Sequence, residues 1–173
     1  SRQPYVKLHE QSEHSDLALN KQGEDVYVAI DYQADRGDVF MVNLKTGKRT
    51  SLFPTYLSGT ATAIHFSGKA YGKPGWALVS TYGEYHASNQ ASSLRNTAMQ
   101  QWMHRKIFAV SLEENPQIRP LAHADSDSKS SWGSDAYWAE PQATVNSDFT
   151  RVLFNSTLNS SRIQDVETYM LAL

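Results

Sequence analysis

The chain has 173 residues, of which 40% are hydrophobic and 20% are charged, and its formal net charge is −2. This composition is typical of a globular protein with a real core, and the charge gives no reason to expect binding to nucleic acid or to an anionic membrane. The chain has no cysteine, which excludes disulfides, thiolate metal ligands and a cysteine nucleophile, and it has no apolar run long enough to cross a bilayer.

A short strand pattern occurs three times, at residues 38–44, 106–112 and 167–173. Each copy places an aromatic residue, then a valine or leucine, then a leucine at alternate positions, so these side chains share one face of an extended strand. Strand patterns that recur tens of residues apart favour a propeller, a solenoid or an array.

Each copy belongs to a longer unit that begins with two further predicted strands, and two of the three units continue into a fourth. A succession of strand, turn, strand, loop, strand, turn and strand is typical of a four-stranded antiparallel blade. In chain order, the predicted strands are residues 16–20, 25–30, 38–44, 48–52, 60–66, 75–82, 106–112, 118–123, 142–146, 151–154 and 167–173.

The sequence therefore predicts an all-β fold, a partial β-propeller of about three four-stranded antiparallel blades in a single segment of residues 1–173. The blades are predicted at residues 12–54, 58–124 and 138–173. The third blade lacks a fourth strand, and residues 4–10 are predicted to form a strand that either closes this blade or ends a preceding one. Propellers usually have about four to eight blades, so we expect a second copy, another chain or a longer parent protein to complete the ring.

Several histidine and tryptophan residues are assigned to structure. His9 and His123 occupy equivalent fourth-strand positions on the outside, and His104 lies beside an insertion and is expected to face solvent. Trp132 and Trp138 flank a polar run and are expected to pack between blades, although stacking on a carbohydrate is the alternative.

Polar residues at the innermost predicted strands are the candidates for a functional site. The first strand of each blade lines the channel of a propeller, so His14, His65 and Gln142 are expected to converge near the axis. Imidazole and carboxamide groups around one channel mouth suit a divalent metal such as manganese, zinc or calcium. We predict these three residues as metal ligands; the alternative for each is a structural hydrogen bond.

Proton transfer is predicted for residues in and after the second innermost strand. Lys69 and Tyr71 follow His65 closely in sequence, and the catalytic candidates are His14, His65, Lys69 and Tyr71. A metal at the axis would neutralise a substrate carboxylate. The Ser67-Gly68 pair lacks the Gly-x-Ser-x-Gly context of a nucleophile elbow, so a serine hydrolase is rejected.

The last third of the chain resembles the closing blade of bacterial TolB-type (PD40, WD40-like) propellers. The resemblance lies in residues 138–156 and 166–170, with Glu140-Pro141-Gln142 where the family usually has Glu-Pro-His and with Phe154-Asn155-Ser156 matching its Phe-x-Ser. The regions around His14 and His65 look like the preceding blades. Among such propellers are polysaccharide lyases of the oligogalacturonate-lyase and ulvan-lyase kind, which are similar in using histidines at the axis, with a metal in the oligogalacturonate case.

The resemblance implies a propeller that binds or cleaves an acidic carbohydrate at its axial face, as a metal-assisted polysaccharide lyase in a periplasmic or secreted location. In that hypothesis His14 and His65 are metal ligands or proton-transfer groups, Gln142 completes the site and Lys69 binds carboxylate. The alternative is a non-catalytic propeller that binds a glycan or a protein partner. A third hypothesis is a scaffold that associates through its open blade edges, for example as two copies that form six blades.

Overall fold

The computed structural model describes residues 5–86, 101–126 and 136–173, and in these ranges the chain is built almost entirely from β-strands. No helix in the described part of the chain is long and apolar enough to cross a membrane. A 3-10 helix spans Ile163–Asp165, and residues 136–139 form a second helical turn. The strands are β1 Ser15–Leu19, β2 Asp25–Asp31, β3 Asp38–Asn43, β4 Arg49–Pro54, β5 Thr60–Ser67, β6 Trp76–His86, β7 Lys106–Ser111, β8 Ile118–His123, β9 Thr144–Val145, β10 Arg151–Ser156 and β11 Glu167–Ala172.

The strands form three antiparallel sheets, which confirms the all-β prediction. The first sheet has the order β1-β2-β3-β4, the second has the order β5-β6-β7-β8, and the third has the three strands β11-β10-β9. The strand that begins each unit therefore stands at one edge of its sheet. The described residues do not form a closed ring.

The edge strands β1, β5 and β9 pack beside one another, which brings the beginnings of the three units together. The Asp16 carboxylate accepts a hydrogen bond from the backbone N–H of Gly68 at 2.9 Å, which links the first sheet to the second. The Ser67 hydroxyl accepts one from the N–H of Val145 at 3.3 Å, which links the second sheet to the third. The first sheet is therefore joined to the second, and the second to the third, through these edge strands.

The core lies between the sheets and follows the alternation of side chains along each strand. In β7, Phe108 and Val110 belong to the apolar cluster shared with the first sheet, whereas Ile107 and Ala109 belong to the cluster shared with the third sheet. The second sheet is therefore buried on both faces. This explains why the sequence of β7 is almost continuously apolar, like that of other strands covered on both sides.

The strand predicted at residues 4–10 is not formed in the described part of this segment, residues 5–10. His9 places its Nε2 3.4 Å from the Asp31 carboxylate, and its ring centroid lies 5.1 Å from that of Phe40. These contacts hold the segment on the outer face of the first sheet. Within the described ranges the third sheet therefore has three strands and no fourth, and β11 stands at its edge.

His104 is buried, contrary to the expectation that it faces solvent. Its Nδ1 accepts a hydrogen bond from the backbone N–H of Gln101 at 3.3 Å, and its Nε2 lies 3.5 Å from the Thr60 hydroxyl. These contacts give His104 a role in fixing the segment before β7. Trp132 lies outside the described residues.

Candidate acid–base site

Three aromatic side chains meet beside the edge strands of the first and second sheets. The rings of His14 and His65 form a T-shaped pair with centroids 4.5 Å apart, and Tyr82 stacks on His65 at 4.4 Å with 21° between the ring planes. The Tyr82 hydroxyl lies 2.8 Å from Nε2 of His14 and closes the triangle. These contacts bring His14 and His65 together, as expected from the ends of the innermost strands.

The pairing of β5 with β6 explains why His65 and Tyr82 touch. His65 pairs with Ser80 and Ala63 pairs with Tyr82, so the histidine and the tyrosine are diagonal neighbours on one face of the sheet. His14 directly precedes β1, and its carbonyl accepts a hydrogen bond from Ile30 at 3.4 Å, which extends the ladder with β2. The backbone positions of all three side chains are therefore fixed by strand pairing.

Glu140 adds a carboxyl group from the segment that leads into the third sheet. Its Oε2 lies 3.4 Å from Nε2 of His65, and each of the two side chains is only 14% exposed. The N–H of Glu140 donates to the carbonyl of Tyr137 at 3.1 Å, and the carbonyl of Pro141 accepts from Asn155 in β10 at 2.8 Å. We call His14, His65, Tyr82 and Glu140 the acid–base cluster.

Burial sets the protonation of the acid–base cluster. Burial, and to a smaller extent the nearby His14, lower the pKa of His65 to about 4. Burial also lowers the pKa of His14, with Glu13 acting in the opposite direction, and it raises the pKa of Glu140 to about 7. At neutral pH both imidazoles are therefore uncharged and Glu140 carries its proton part of the time. The His65–Glu140 contact then joins a neutral imidazole to a carboxyl group rather than two full charges.

The second ring nitrogen of His65 is unsatisfied. Its Nδ1 is buried and has no hydrogen-bond partner among the described residues. An unsatisfied buried polar atom costs about 1–3 kcal/mol relative to a paired one, and such atoms are rare in folded proteins. A histidine kept in this position at a cost to stability is typical of a functional site.

The structure brings two of the three predicted metal ligands, His14 and His65, into contact with each other. The side-chain amide of Gln142 donates to the carbonyl of Tyr137 at 3.4 Å, and Nε2 of His14 is already in contact with Tyr82. Across residues 5–86, 101–126 and 136–173, no group of three or more histidine and acidic side chains is arranged to hold a metal ion. A divalent metal held by His14, His65 and Gln142 stays a prediction, and no chemical step is assigned to it.

Lys69 and Tyr71 lie beyond the end of β5 and are exposed. In the described residues, no hydrogen bond or ion pair joins either side chain to the two histidines of the cluster. The neighbouring Gly72 donates its N–H to the carbonyl of Ser147 at 2.8 Å, which holds this segment at the far end of β9. These two candidates are therefore not members of the acid–base cluster as its contacts define it.

Two members of the cluster were not predicted from the sequence. Glu140 belongs to the same Glu-Pro-Gln segment as the predicted ligand Gln142, and it is Glu140 that contacts His65. Tyr82 carries no motif, and only the register of β5 against β6 could have identified it.

Glu140→Gln is expected to steepen the pH dependence of stability. Because the pKa of His65 falls from 6.5 to about 4 on folding, the unfolded state binds more protons below pH 6.5 and stability is lost as the pH falls. Glu140 acts in the opposite direction, since the rise of its pKa from 4.5 to about 7 makes the folded state bind the extra proton. In the wild type, the contributions of His65 and Glu140 to the pH dependence of the free energy of unfolding oppose each other. In the variant only the His65 contribution remains, so the free energy of unfolding should fall by about 3 kcal/mol between pH 7 and pH 4.

Urea unfolding at pH 7, 5.5 and 4 measures this difference between the wild type and the variant. Glu167→Gln, at an exposed position in β11, is the matched control and should follow the wild type. Parallel pH profiles for wild type and Glu140→Gln would show that Glu140 does not take up a proton on folding.

Comparison of the chain with protein-family models, with curated proteins and with solved structures finds no match. A role for the acid–base cluster therefore follows from its own geometry and chemistry.

Proposed function

We propose that the acid–base cluster cleaves an acidic carbohydrate by β-elimination, as in a polysaccharide lyase. The observation that carries this proposal is the contact of 2.8 Å between the Tyr82 hydroxyl and His14, beside a second neutral histidine and a protonatable carboxyl group. Groups that can accept and donate a proton near neutral pH are what general acid–base catalysis requires. The resemblance to propeller lyases supports the choice of an acidic glycan as substrate.

The reaction balances with protein side chains alone. A neutral imidazole, assigned to His14, removes the proton from the carbon beside the carboxylate of a uronic acid. The electron pair forms a double bond to the neighbouring carbon, and the bond from that carbon to the glycosidic oxygen breaks. The departing oxygen takes a proton from Tyr82, which recovers one from His14 through their hydrogen bond.

Glu140 has a separate part in this proposal. Its carboxyl group holds a proton near pH 7 because it is buried, so it can donate a hydrogen bond to the carboxylate of the substrate. Such a bond withdraws negative charge from the carboxylate and makes the adjacent carbon a stronger acid. This is the task that the sequence predicted for a metal.

The test is an assay of the purified chain with polygalacturonate and with alginate, with and without EDTA. Elimination creates a double bond conjugated to the carboxylate, which is followed by ultraviolet absorbance. We expect a rise in absorbance that EDTA does not remove. Absence of product from both polymers would reject the lyase and leave the non-catalytic binding propeller.

We also propose that a second copy of the chain covers the open face of the third sheet and completes a propeller. Leu153 of β10 and Met170 of β11 are cross-strand neighbours on that face, and they are 45% and 62% exposed. A sheet that carries such an apolar pair is typical of an association surface. Native mass spectrometry should show a dimer that Met170→Glu weakens, whereas a wild-type monomer at micromolar concentration would contradict the proposal.

A further inference from the structure

Two large aromatic side chains project into solvent immediately before Glu140. Tyr137 is 51% exposed and Trp138 is 61% exposed, and their rings form a T-shaped pair with centroids 5.4 Å apart and 80° between the planes. In a T-shaped pair the edge of one ring covers one face of the other, so the remaining faces stay open. We call Tyr137 and Trp138 the aromatic platform.

The backbone beneath the aromatic platform is anchored on both sides. Ala139 is fully buried and its carbonyl accepts a hydrogen bond from the Ser126 hydroxyl. The carbonyl of Tyr137 accepts hydrogen bonds from the N–H of Glu140 and from the side-chain amide of Gln142. The turn is therefore tied to the chain before it and after it, while its two rings face outward.

Fixed and exposed aromatic rings beside an ionisable cluster indicate a binding surface. Single exposed apolar side chains are common on proteins, but an adjacent tyrosine and tryptophan leave a large apolar area in water and present a rigid amphipathic surface. Glu140 follows Trp138 by two positions, so their Cα atoms are roughly 7 Å apart at most. This separation is comparable with that of neighbouring sugars in a polysaccharide.

We propose that the aromatic platform is a subsite that stacks on the sugar rings of an acidic glycan next to the unit held by the acid–base cluster. The C–H face of a pyranose is apolar and packs on an aromatic ring, while the carboxylates remain at the rim in water. The inference rests on the proposed function for its ligand class and adds the residues that bind the chain beyond the reacting bond. The role of Gln142 becomes structural, because its amide holds the carbonyl of Tyr137.

Affinity electrophoresis in gels that contain polygalacturonate, alginate or dextran tests the proposal. Wild-type protein should be retarded by an acidic polymer and not by dextran. Trp138→Ala and Tyr137→Ala should each weaken binding about tenfold, and Trp138→Phe should retain most of it. Tyr5→Ala removes an exposed aromatic ring elsewhere and should bind like the wild type.

Binding and cleavage are measured separately, so that the two proposals fail separately. Wild-type protein that binds polygalacturonate through Trp138 without cleaving it would reject the lyase and support the platform. Cleavage with an unchanged KM in Trp138→Ala would reject the platform and leave the lyase standing. Equal retardation of wild type and Trp138→Ala, equal retardation in dextran, or no retardation in any gel would each overturn the platform.

Discussion

Tyr82→Phe is expected to slow cleavage of polygalacturonate by a hundredfold or more, because loss of a general acid or base typically costs about 10²–10⁴ in rate. The substitution removes only the hydroxyl that lies 2.8 Å from Nε2 of His14. The phenyl ring can still stack on His65, so the packing of the cluster should survive. The loss should therefore appear in kcat, with little change in KM.

The control for this variant is Tyr27→Phe, which removes a hydroxyl from the outer face of the first sheet. It should cleave at the wild-type rate, and all variants should give the same circular dichroism spectrum. Tyr71→Phe distinguishes the tyrosine predicted from the sequence, Tyr71, from the tyrosine found in the acid–base cluster, Tyr82. A loss in Tyr71→Phe without one in Tyr82→Phe would contradict the assignment of Tyr82 to the cluster.

Gly68→Ala is expected to destabilise the fold by at least about 3 kcal/mol, since overpacking at a rigid site costs about 1–3 kcal/mol and occasionally more. A Cβ at this position would lie 2.0 Å from the carbonyl oxygen of Leu17 and 2.7 Å from the Cβ of Ala18. Both are fixed atoms of β1, so no rotation of a side chain can relieve the clash. The substitution would also push the Gly68 N–H away from the Asp16 carboxylate.

Urea unfolding compares Gly68→Ala with Gly47→Ala, where the added Cβ meets nothing within 4 Å. Gly47 has a φ of +73°, so its replacement should cost about 1 kcal/mol from backbone strain alone. Asp16→Asn tests the same junction without a clash and should cost about 1 kcal/mol through the weaker acceptor. If Gly68→Ala proves as stable as Gly47→Ala, the approach of the second sheet to β1 is looser than described.

Local pattern was sufficient to predict the strands because each one carries alternating or continuous apolar residues between turns. The third unit shows a case in which the local sequence pattern did not predict the structure. Residues 4–10 have the sequence of a strand, yet the contacts of His9 with Asp31 and Phe40 hold residues 5–10 on the first sheet. Tertiary contacts of this kind override strand propensity and leave no signal in the segment itself.

Only those residues of the candidate site that lie at or beside the innermost strand of each unit could be predicted from the sequence. His14 directly precedes β1 and His65 lies near the end of β5, and both were expected near the axis because the innermost strands line it. Gln142 has a backbone φ of 42°, a turn that alignment cannot show, and its amide donates to the carbonyl of Tyr137. Tyr82 was hidden because the register of β5 and β6 shifts between Thr62 and Ala63.

The unequal burial of the sheets has a consequence for the order in which the molecule unfolds. The second sheet is packed on both faces, whereas the third is joined to it on one face and contributes a β9 of only two residues. Partial unfolding should therefore begin with the third sheet, at a lower free energy than global unfolding. Glu140 would leave with it, water would reach His65, and the pKa of that imidazole would rise from about 4 towards 6.5. Between about pH 4 and pH 6.5, mild denaturation would thus protonate His65 while most of the backbone remained folded.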